Sequence, residues 1–232
     1  MMNKAKDIEL IPRRAYAVVL MLIGSIVISF GGLVIRNINT ADTWQINFYR
    51  SLAFSMAILI FLLFRYGKTA PTKLLDIGLQ GVLAAALFAF ANISFLQAIT
   101  NTTVAATTFT MGSIPFLTAF IAWLFLKERI GKSTFFTMLA ATVGIFLMFV
   151  KGLDSGSVYG NSMAFLGAIG FSGYAAIIRR NREQEMTPTL ILANLMIIFL
   201  ALFFRWDDLS VSFNDLILCF VLGGLLSATV NT

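Results

Sequence analysis

The stretch Ile77–Leu126 contains 50 consecutive residues without a charged side chain or a histidine. A helix of this length would reach about 75 Å, far more than one crossing of a ~30 Å hydrocarbon core. Lipid offers no partner to an exposed backbone amide, so the chain must cross as helices or as a closed barrel, and continuous apolar runs argue against barrel strands. The polar break Thr100–Thr103 predicts two membrane helices, about 77–98 and 103–126, joined by a tight hairpin.

The composition of the whole chain agrees with several membrane helices. Of its 232 residues, 59% are hydrophobic and 12% are charged, whereas soluble domains carry about 25% charged residues. The net charge of +6 is spread over short loops, so we interpret it as a topology signal and expect no nucleic-acid partner. A single cysteine, Cys219, excludes an internal disulfide framework and a multi-thiolate metal site. The lack of histidine removes the commonest general base and transition-metal ligand, and we expect neither a cofactor nor a metal.

Six further apolar runs complete a prediction of eight spans. A polar segment, 1–14, comes first, and the runs lie at 15–35, 46–64, 134–150, 161–178, 187–204 and 216–230. If the N-terminus is cytoplasmic and each span crosses once, 13 Lys and Arg side chains fall inside and 3 fall outside. This bias predicts a multi-pass protein of the inner membrane with its N-terminal segment in the cytoplasm.

A comparison of the chain with itself at an offset of 143 residues indicates an internal repeat. Two separate segments agree without a gap: Ser29, Ile35 and Arg36 match Ser172, Ile178 and Arg179, and Leu79, Gly81, Leu83 and Ala85 match Leu222, Gly224, Leu226 and Ala228. The repeat unit holds five helices, and because five is odd the second copy must enter the membrane inverted. Inverted repeats of this kind are the architecture of many secondary transporters.

We therefore predict an all-α fold, a polytopic transmembrane helical bundle made of inverted five-helix units. The first unit is 15–150, and the second, 160–232, holds three helices, so that about eight of an expected ten are present. The counterpart of the first unit would extend beyond Thr232. We expect the sequence to be a truncated form, with a natural eight-span protein as the alternative.

Short motifs in two spans point to a family. One is Phe48–Ser51, and the others are Ala105–Ala106, Ile114–Phe116 and Leu126–Arg129. Together they resemble the EamA-type branch of the drug/metabolite transporter superfamily. The resemblance implies a ten-helix inner-membrane carrier with both termini inside, and it marks Glu128 as a motif position. From its place beside Lys127 and Arg129, Glu128 is a surface ion-pair partner or a gating residue.

Arg50 is the one charge that we place inside a span, and an ionisable residue at membrane depth is by default a functional candidate. It could attract an anionic group of a substrate, with Asn47 one turn earlier on the same face. The alternative is that Arg50, about 8 Å from the outer end of its helix, extends its head group to the interface.

A polar stripe in the fourth span contains Thr103, Thr107 and Thr110, with Ser113 beside it. Pro115 has no amide hydrogen and leaves the carbonyl of the fourth preceding residue without its helical donor. Such a stripe can line a water-filled path, with Pro115 as a gating hinge. Alternatively, the hydroxyls bond their own backbone or allow close helix packing.

Three polar residues in other spans complete the substrate-pathway candidates. Asn92 lies among phenylalanines in the third span, where it could recognise a small polar or aromatic solute or join two helices by a hydrogen bond. Ser172 and Tyr174 follow among Gly167, Gly170 and Gly173, which are typical of close helix packing.

These features favour a secondary transporter, a permease or exporter of a small metabolite or drug-like solute, acting by alternating access. Its expected partners are the solute and the lipid bilayer, with a homodimer as a possibility. We do not expect an enzyme, and no Walker A loop suggests ATP as the energy source. Two alternatives stay open: a non-transporting membrane subunit or scaffold, and an intramembrane lipid-modifying enzyme without a visible acid/base pair.

Overall fold

The computed structural model describes residues 29–67, 77–126, 158–181 and 186–227, together with 19, 22, 24–27, 131, 133, 135–140, 143, 144 and 147. The described residues form helices and their connecting turns, without a strand. The helices are α1 (Gly24–Arg36), α2 (Thr43–Tyr66), α3 (Gly78–Asn101), α4 (Val104–Met111), α5 (Ile114–Leu126), α6 (Val158–Arg180), α7 (Thr187–Phe204) and α8 (Phe213–Phe220). A π-helical segment, Val221–Ser227, continues α8.

Five helical stretches are long and apolar enough to cross a membrane: α2, α3, α4 together with α5, α6 and α7. The prediction of an all-α, polytopic membrane bundle is therefore confirmed. Of the predicted fifth span, the described residues 135–140 are helical. Glu128, the proposed motif position, lies outside the described residues.

The uncharged stretch folds back where the sequence predicts. α3 ends when the amide of Thr102 donates to the carbonyl of Ala98 at 2.8 Å. Thr103 then caps α4, because its hydroxyl accepts from the amide of Ala106 at 3.1 Å. The hairpin therefore needs only two residues between its helices, and each helix end is satisfied by the chain itself.

The fourth span is broken into two helices. Gly112 donates to the carbonyls of Thr108 and Phe109, both at 3.0 Å, and Ser113 donates to Thr110 at 3.0 Å, so the last turn of α4 tightens. Pro115 lies in the first turn of α5, where a residue without an amide hydrogen is tolerated. The break follows from the proline and produces two half-helices.

Three connections meet at one end of the bundle, which we call the hairpin end. It consists of residues 37–42, the turn Thr102–Thr103 and residues 205–212. Asp42 starts α2 there with a capping box, accepting from the Gln45 amide at 2.8 Å and donating its own amide to the Gln45 side chain at 2.8 Å.

α6 packs on α3 through glycines that leave no room for a side chain. A Cβ at Gly160 would lie 2.7 Å from the Cβ of Thr102, and one at Gly170 would lie 2.9 Å from the Cβ of Ala91 and 3.1 Å from the carbonyl oxygen of Leu87. In lipid, helices associate through van der Waals packing, which small residues allow. The expectation of close packing is confirmed for Gly170, and for Gly167, whose Cβ would lie 3.3 Å from the carbonyl oxygen of Ala91.

We expect Gly170→Ala to destabilise the bundle, because the new methyl group meets a backbone carbonyl and a Cβ that cannot turn away. Overpacking of this kind costs about 1–3 kcal/mol. Gly173→Ala is the matched control, since its Cβ would meet only the flexible end of Leu87 at 3.1 Å. Thermal unfolding in detergent should show a lower Tm for Gly170→Ala only, and equal Tm values would contradict this packing argument.

Candidate functional site

A cavity of about 580 Å³ lies inside the bundle, a volume typical of small-molecule sites. All helices from α1 to α6 and the π-helical segment contribute to its wall. The polar side chains in the wall are Ser29, Arg50, Asn92, Thr108, Tyr174 and Ser227. Among the lining residues, all of them described, none is acidic.

Arg50 projects into this cavity from the second turn of α2. Its side chain is only 6% exposed, and one terminal nitrogen donates to Oδ1 of Asn92 at 3.1 Å. The amide nitrogen of Asn92 donates in turn to the carbonyl of Phe88 at 3.0 Å, which fixes the orientation of the amide. Within the described residues, Nε of Arg50 has no partner. The cavity thus contains a buried cation whose described hydrogen bond to Asn92 uses one of its five N–H donors.

Aromatic side chains form much of the remaining wall. Phe88 meets Phe171 edge to face, at a centroid distance of 5.8 Å, and meets Tyr174 in a tilted arrangement, at 4.9 Å. Phe54 and Phe95 complete the aromatic part of the wall. Rings in such edge and tilted arrangements attract one another beyond their simple burial, so this surface is preformed for an apolar or aromatic body.

The backbone at Arg50 is held by the π-helical segment. A Cβ at Gly223 would lie 2.0 Å from the carbonyl oxygen of Arg50, so only glycine fits there. The hydroxyl of Ser227 donates to the carbonyl of Leu222, five residues earlier, at 2.7 Å. Wide π turns often occur at functional sites, and here the turn brings a second backbone against the residue that carries the cation.

Asp215 closes the hairpin end with its buried carboxylate. It accepts from the amides of Asn39 at 3.3 Å, Thr40 at 2.8 Å and Ala41 at 3.1 Å, and also from the Thr40 hydroxyl. Its own amide donates to the hydroxyl of Ser212, which caps α8. One side chain therefore joins the start of α8 to the connection between α1 and α2.

Further polar contacts at the hairpin end join α2 to the connection between α7 and α8. Arg205 forms an ion pair with Asp42. The Gln45 side chain donates to the carbonyls of Asp208 at 3.2 Å and Ser210 at 3.1 Å. The Tyr49 hydroxyl donates to a third carbonyl of this connection, that of Leu209, at 2.7 Å. We call these contacts, together with those of Asp215, the polar seal.

A second concavity, of about 690 Å³, lies on the surface between α3, α6 and α7. Its wall includes Trp44, Phe90 and Phe199, and the last two are exposed at 45% and 70%. An exposed apolar groove on a membrane helix bundle faces lipid. The cavity around Arg50 is the better candidate because a cation and an amide converge in it.

A comparison of the sequence with models of known protein families identifies the family of this protein. The model of the EamA-like transporter family matches residues 15–150, more than half of the chain. The protein belongs to the EamA-like transporter family. No curated protein and no solved structure matches it. An EamA-like protein is, in general terms, a membrane transporter-type protein. The family resemblance inferred from the short motifs is confirmed.

The candidate residues of this EamA-like protein fall into two groups. Arg50, Asn92 and Tyr174 line the cavity together. Asn47 and Ser172 are fully buried outside its lining. Neither polar atom of Asn47 has a hydrogen-bond partner in the described part of the chain, whereas Ser172 donates to Ala168 at 2.7 Å and, across helices, to Ile114 at 3.2 Å.

The threonine stripe of the fourth span bonds its own backbone. Thr107 donates to the carbonyl of Thr103 at 3.1 Å, Thr110 donates to Ala106 at 2.9 Å, and Ser113 donates to Thr110 at 2.6 Å. The lining residues of α4 are instead Val104, Thr108 and Met111, with Ile114 following in α5. Pro115 lies beside this wall and is not part of it.

Sequence reasoning missed two residues that the structure makes prominent. Asp215 was not among the candidates, although Ser212 three residues earlier is a recognisable N-cap signal. That signal places Asp215 in a first turn but cannot reveal the loop amides that it accepts from. Gly223 lies in a Gly-Gly pair, and nothing in the sequence shows which glycine meets a neighbouring backbone.

Proposed function

We propose that the protein is a secondary transporter that carries a small metabolite or drug-like solute through the Arg50 cavity by alternating access. The observation that carries the proposal is the buried guanidinium and amide pair, Arg50 and Asn92, in a cavity walled by helices of both predicted units. A buried charge is costly in a membrane protein and is retained where a solute path needs it.

The packing of the helices supports the proposed inverted repeat of 15–150 and 160–232. A two-fold axis in the membrane plane would exchange α1 with α6, α2 with α7 and α3 with α8. α3 packs on α6 and α7, and the exchanged pairs also pack. α8 meets α2, and Leu222, in the π-helical continuation of α8, lies against Gly31 of α1 and in one apolar cluster with Val34. α2 packs on α7, a pair that the exchange maps onto itself.

Two serines repeat one local interaction at the predicted offset. Ser29 of α1 donates to the carbonyl of Ser25 at 2.7 Å, and Ser172 of α6 donates to the carbonyl of Ala168 at 2.7 Å. They are the pair that aligned in the sequence repeat. The same hydroxyl therefore has the same backbone role in both units, which supports a common origin.

The basic residues support an inner-membrane protein whose hairpin end faces outward and whose N-terminal segment is cytoplasmic. Arg65, Arg179 and Arg180 lie in the last turns of α2 and α6, at the end opposite the hairpin end. Arg36 and Arg205 lie at the hairpin end. In this orientation three of these arginines lie inside and two outside, which is the direction of the predicted bias.

The polar seal supports the alternating-access part of the proposal. It joins residues of the first unit, such as Thr40 and Gln45, to residues of the second, such as Asp215 and Arg205. In the orientation above it closes the outer side of the bundle. A cycle that opens the cavity outward must break these contacts, and a set of hydrogen bonds can exchange with water at low cost.

Counterflow from proteoliposomes loaded with a metabolite mixture tests the proposal. We expect uptake of at least one labelled pool, and we expect Ala175→Trp, which fills the cavity from α6, to lower that flux about tenfold or more. Ala86→Trp is the matched control, because it adds the same side chain to the exposed groove on α3. Equal flux in both variants would refute the pathway, and no flux for any pool would favour the scaffold.

A further inference from the structure

We infer that the cavity selects an organic monoanion with an apolar or aromatic body, which the guanidinium of Arg50 holds by its acidic group. This inference rests on the proposed function and names its substrate class. Three observations carry it: the unbalanced charge in the cavity, the free donor capacity of the arginine, and the aromatic wall.

The charge of Arg50 has no counter-ion among the described residues. Asp42 forms its ion pair with Arg205, and Asp215 accepts from the connection between α1 and α2. The exposed Asp208 accepts from the amide of Ser210 at 2.9 Å and from its hydroxyl at 2.6 Å. A cation surrounded by apolar wall and an amide attracts an anion strongly, because the local dielectric constant is low.

The hydrogen bonds of Arg50 leave room for a bound acid. A guanidinium has five N–H donors, and the described contact with Asn92 uses one of them. Asn92 is itself fixed by its bond to Phe88, so it holds the guanidinium in place without neutralising it. A planar guanidinium with free donors matches a carboxylate or a similar acidic group in a two-bond arrangement.

The rest of the wall determines the body of the solute. Phe54, Phe88, Phe95, Phe171 and Tyr174 contribute rings to the lining. The amide of Asn92 is already paired at both its oxygen and its nitrogen, which leaves few groups to bind a polyhydroxylated body such as a sugar. An apolar or aromatic body packs well against this wall. The lining contains no second cation that could bind a second acidic group of the solute.

The test uses three probes with the same benzyl body and different charge: phenylacetate, phenylacetamide and 2-phenylethylamine. Their Kd values are measured on the full chain in nanodiscs. We expect phenylacetate to bind about 10- to 100-fold more tightly than phenylacetamide, as for a hydrogen bond between charged groups, and the amine to bind most weakly. The inference would be overturned if the wild-type protein bound the amide or the amine as tightly as the acid.

Variants of Arg50 assign the preference to its charge. In Arg50→Gln, we expect the ratio of the Kd values of phenylacetamide and phenylacetate to fall close to one. Arg50→Lys keeps a cation and is expected to retain a preference for the acid. Arg36→Gln is the matched control, because Arg36 is exposed and donates to the Thr102 carbonyl at the hairpin end. An unchanged ratio in Arg50→Gln would overturn the inference.

A variant of the wall keeps the inference testable if Arg50→Gln does not fold. Phe171→Ala is expected to raise the Kd values of phenylacetate and phenylacetamide by the same factor, because both probes share the benzyl body. The ratio of the two Kd values should then stay unchanged. Unequal changes would overturn the inference that the guanidinium holds the acid and the aromatic wall holds the body. Selective binding of the acid without any counterflow would refute transport and keep this inference. Counterflow of cationic solutes alone would support transport and refute this inference.

Discussion

Replacement of Gly223 by alanine is expected to remove much of the stability of the folded bundle. The new Cβ would lie 2.0 Å from the carbonyl oxygen of Arg50 and 3.1 Å from its Cα, both of them backbone atoms that cannot rotate away. α2 and the π-helical segment must then separate. We expect a cost of at least about 3 kcal/mol, which corresponds to a fall in Tm of about 6–12 °C for a chain of this length.

Gly224 supplies the control, since it differs from Gly223 by one position and has the same backbone. A Cβ at Gly224 would meet Ala53 at 3.9 Å, an ordinary van der Waals distance. Helix propensity alone favours alanine over glycine at both positions by about 1 kcal/mol. Thermal unfolding in detergent should therefore separate the two variants, and equal Tm values would show that the π-helical segment does not approach α2 as described.

Because Gly223 contacts the backbone of Arg50, the same change should also disturb the cavity. Any folded Gly223→Ala protein is expected to hold Arg50 in a displaced position and to bind phenylacetate more weakly than Gly224→Ala does. A displacement of about 1 Å at a binding or reacting group is enough to lower function strongly. This links the packing of the π-helical segment to the site.

Exchange of Asp215 for asparagine is expected to open the polar seal. Oδ2 of Asp215 accepts from the amides of Thr40 and Ala41 and from the Thr40 hydroxyl, and Oδ1 accepts from the amide of Asn39. An asparagine replaces one of these oxygens by an NH2 group, which donates and cannot accept. Each buried amide left without an acceptor costs about 1–3 kcal/mol.

Hydrogen exchange measures this loss where it occurs. The amides of Asn39, Thr40 and Ala41 should be protected in the wild-type protein and should exchange about tenfold faster or more in Asp215→Asn. Asp208→Asn is the control: Asp208 is exposed, and its partners, the amide and the hydroxyl of Ser210, lie within its own loop. Hydrogen bonds from the Ser210 hydroxyl and amide lower the pKa of Asp208, but they connect no helices. Unchanged exchange in Asp215→Asn would refute the role of Asp215 in the seal.

The two residues illustrate different uses of the same helix. Asp215 lies at the start of α8 and holds the hairpin end closed, whereas Gly223 lies in the π-helical continuation and meets the site. In the proposed cycle the seal must break when the cavity opens outward. Variants of Asp215 should therefore change the accessibility of the hairpin end, and variants of Gly223 should change stability and binding.

The sequence alone determined the fold class and the tight hairpin of this protein. Fifty residues without a charge cannot leave the bilayer or cross it once, so Ile77–Leu126 had to form two helices. Pro115 predicted a broken helical hydrogen bond in the fourth span, because a missing amide hydrogen is a local property. Arg50 stood out for the same reason: its charge conflicts with the apolar run around it.

Only the tertiary structure decided which polar residues share a cavity and which are satisfied elsewhere. Helical periodicity placed Asn47 on the face of Arg50, and it placed Thr107 and Thr110 on one stripe, but Asn47 is buried outside the lining and the threonines bond their own backbone. Which face of a helix meets a neighbour depends on the rotation of that helix about its axis. In an apolar chain, close approaches such as the one at Gly223 set this rotation, because hydrophobicity differs little between faces that all avoid water.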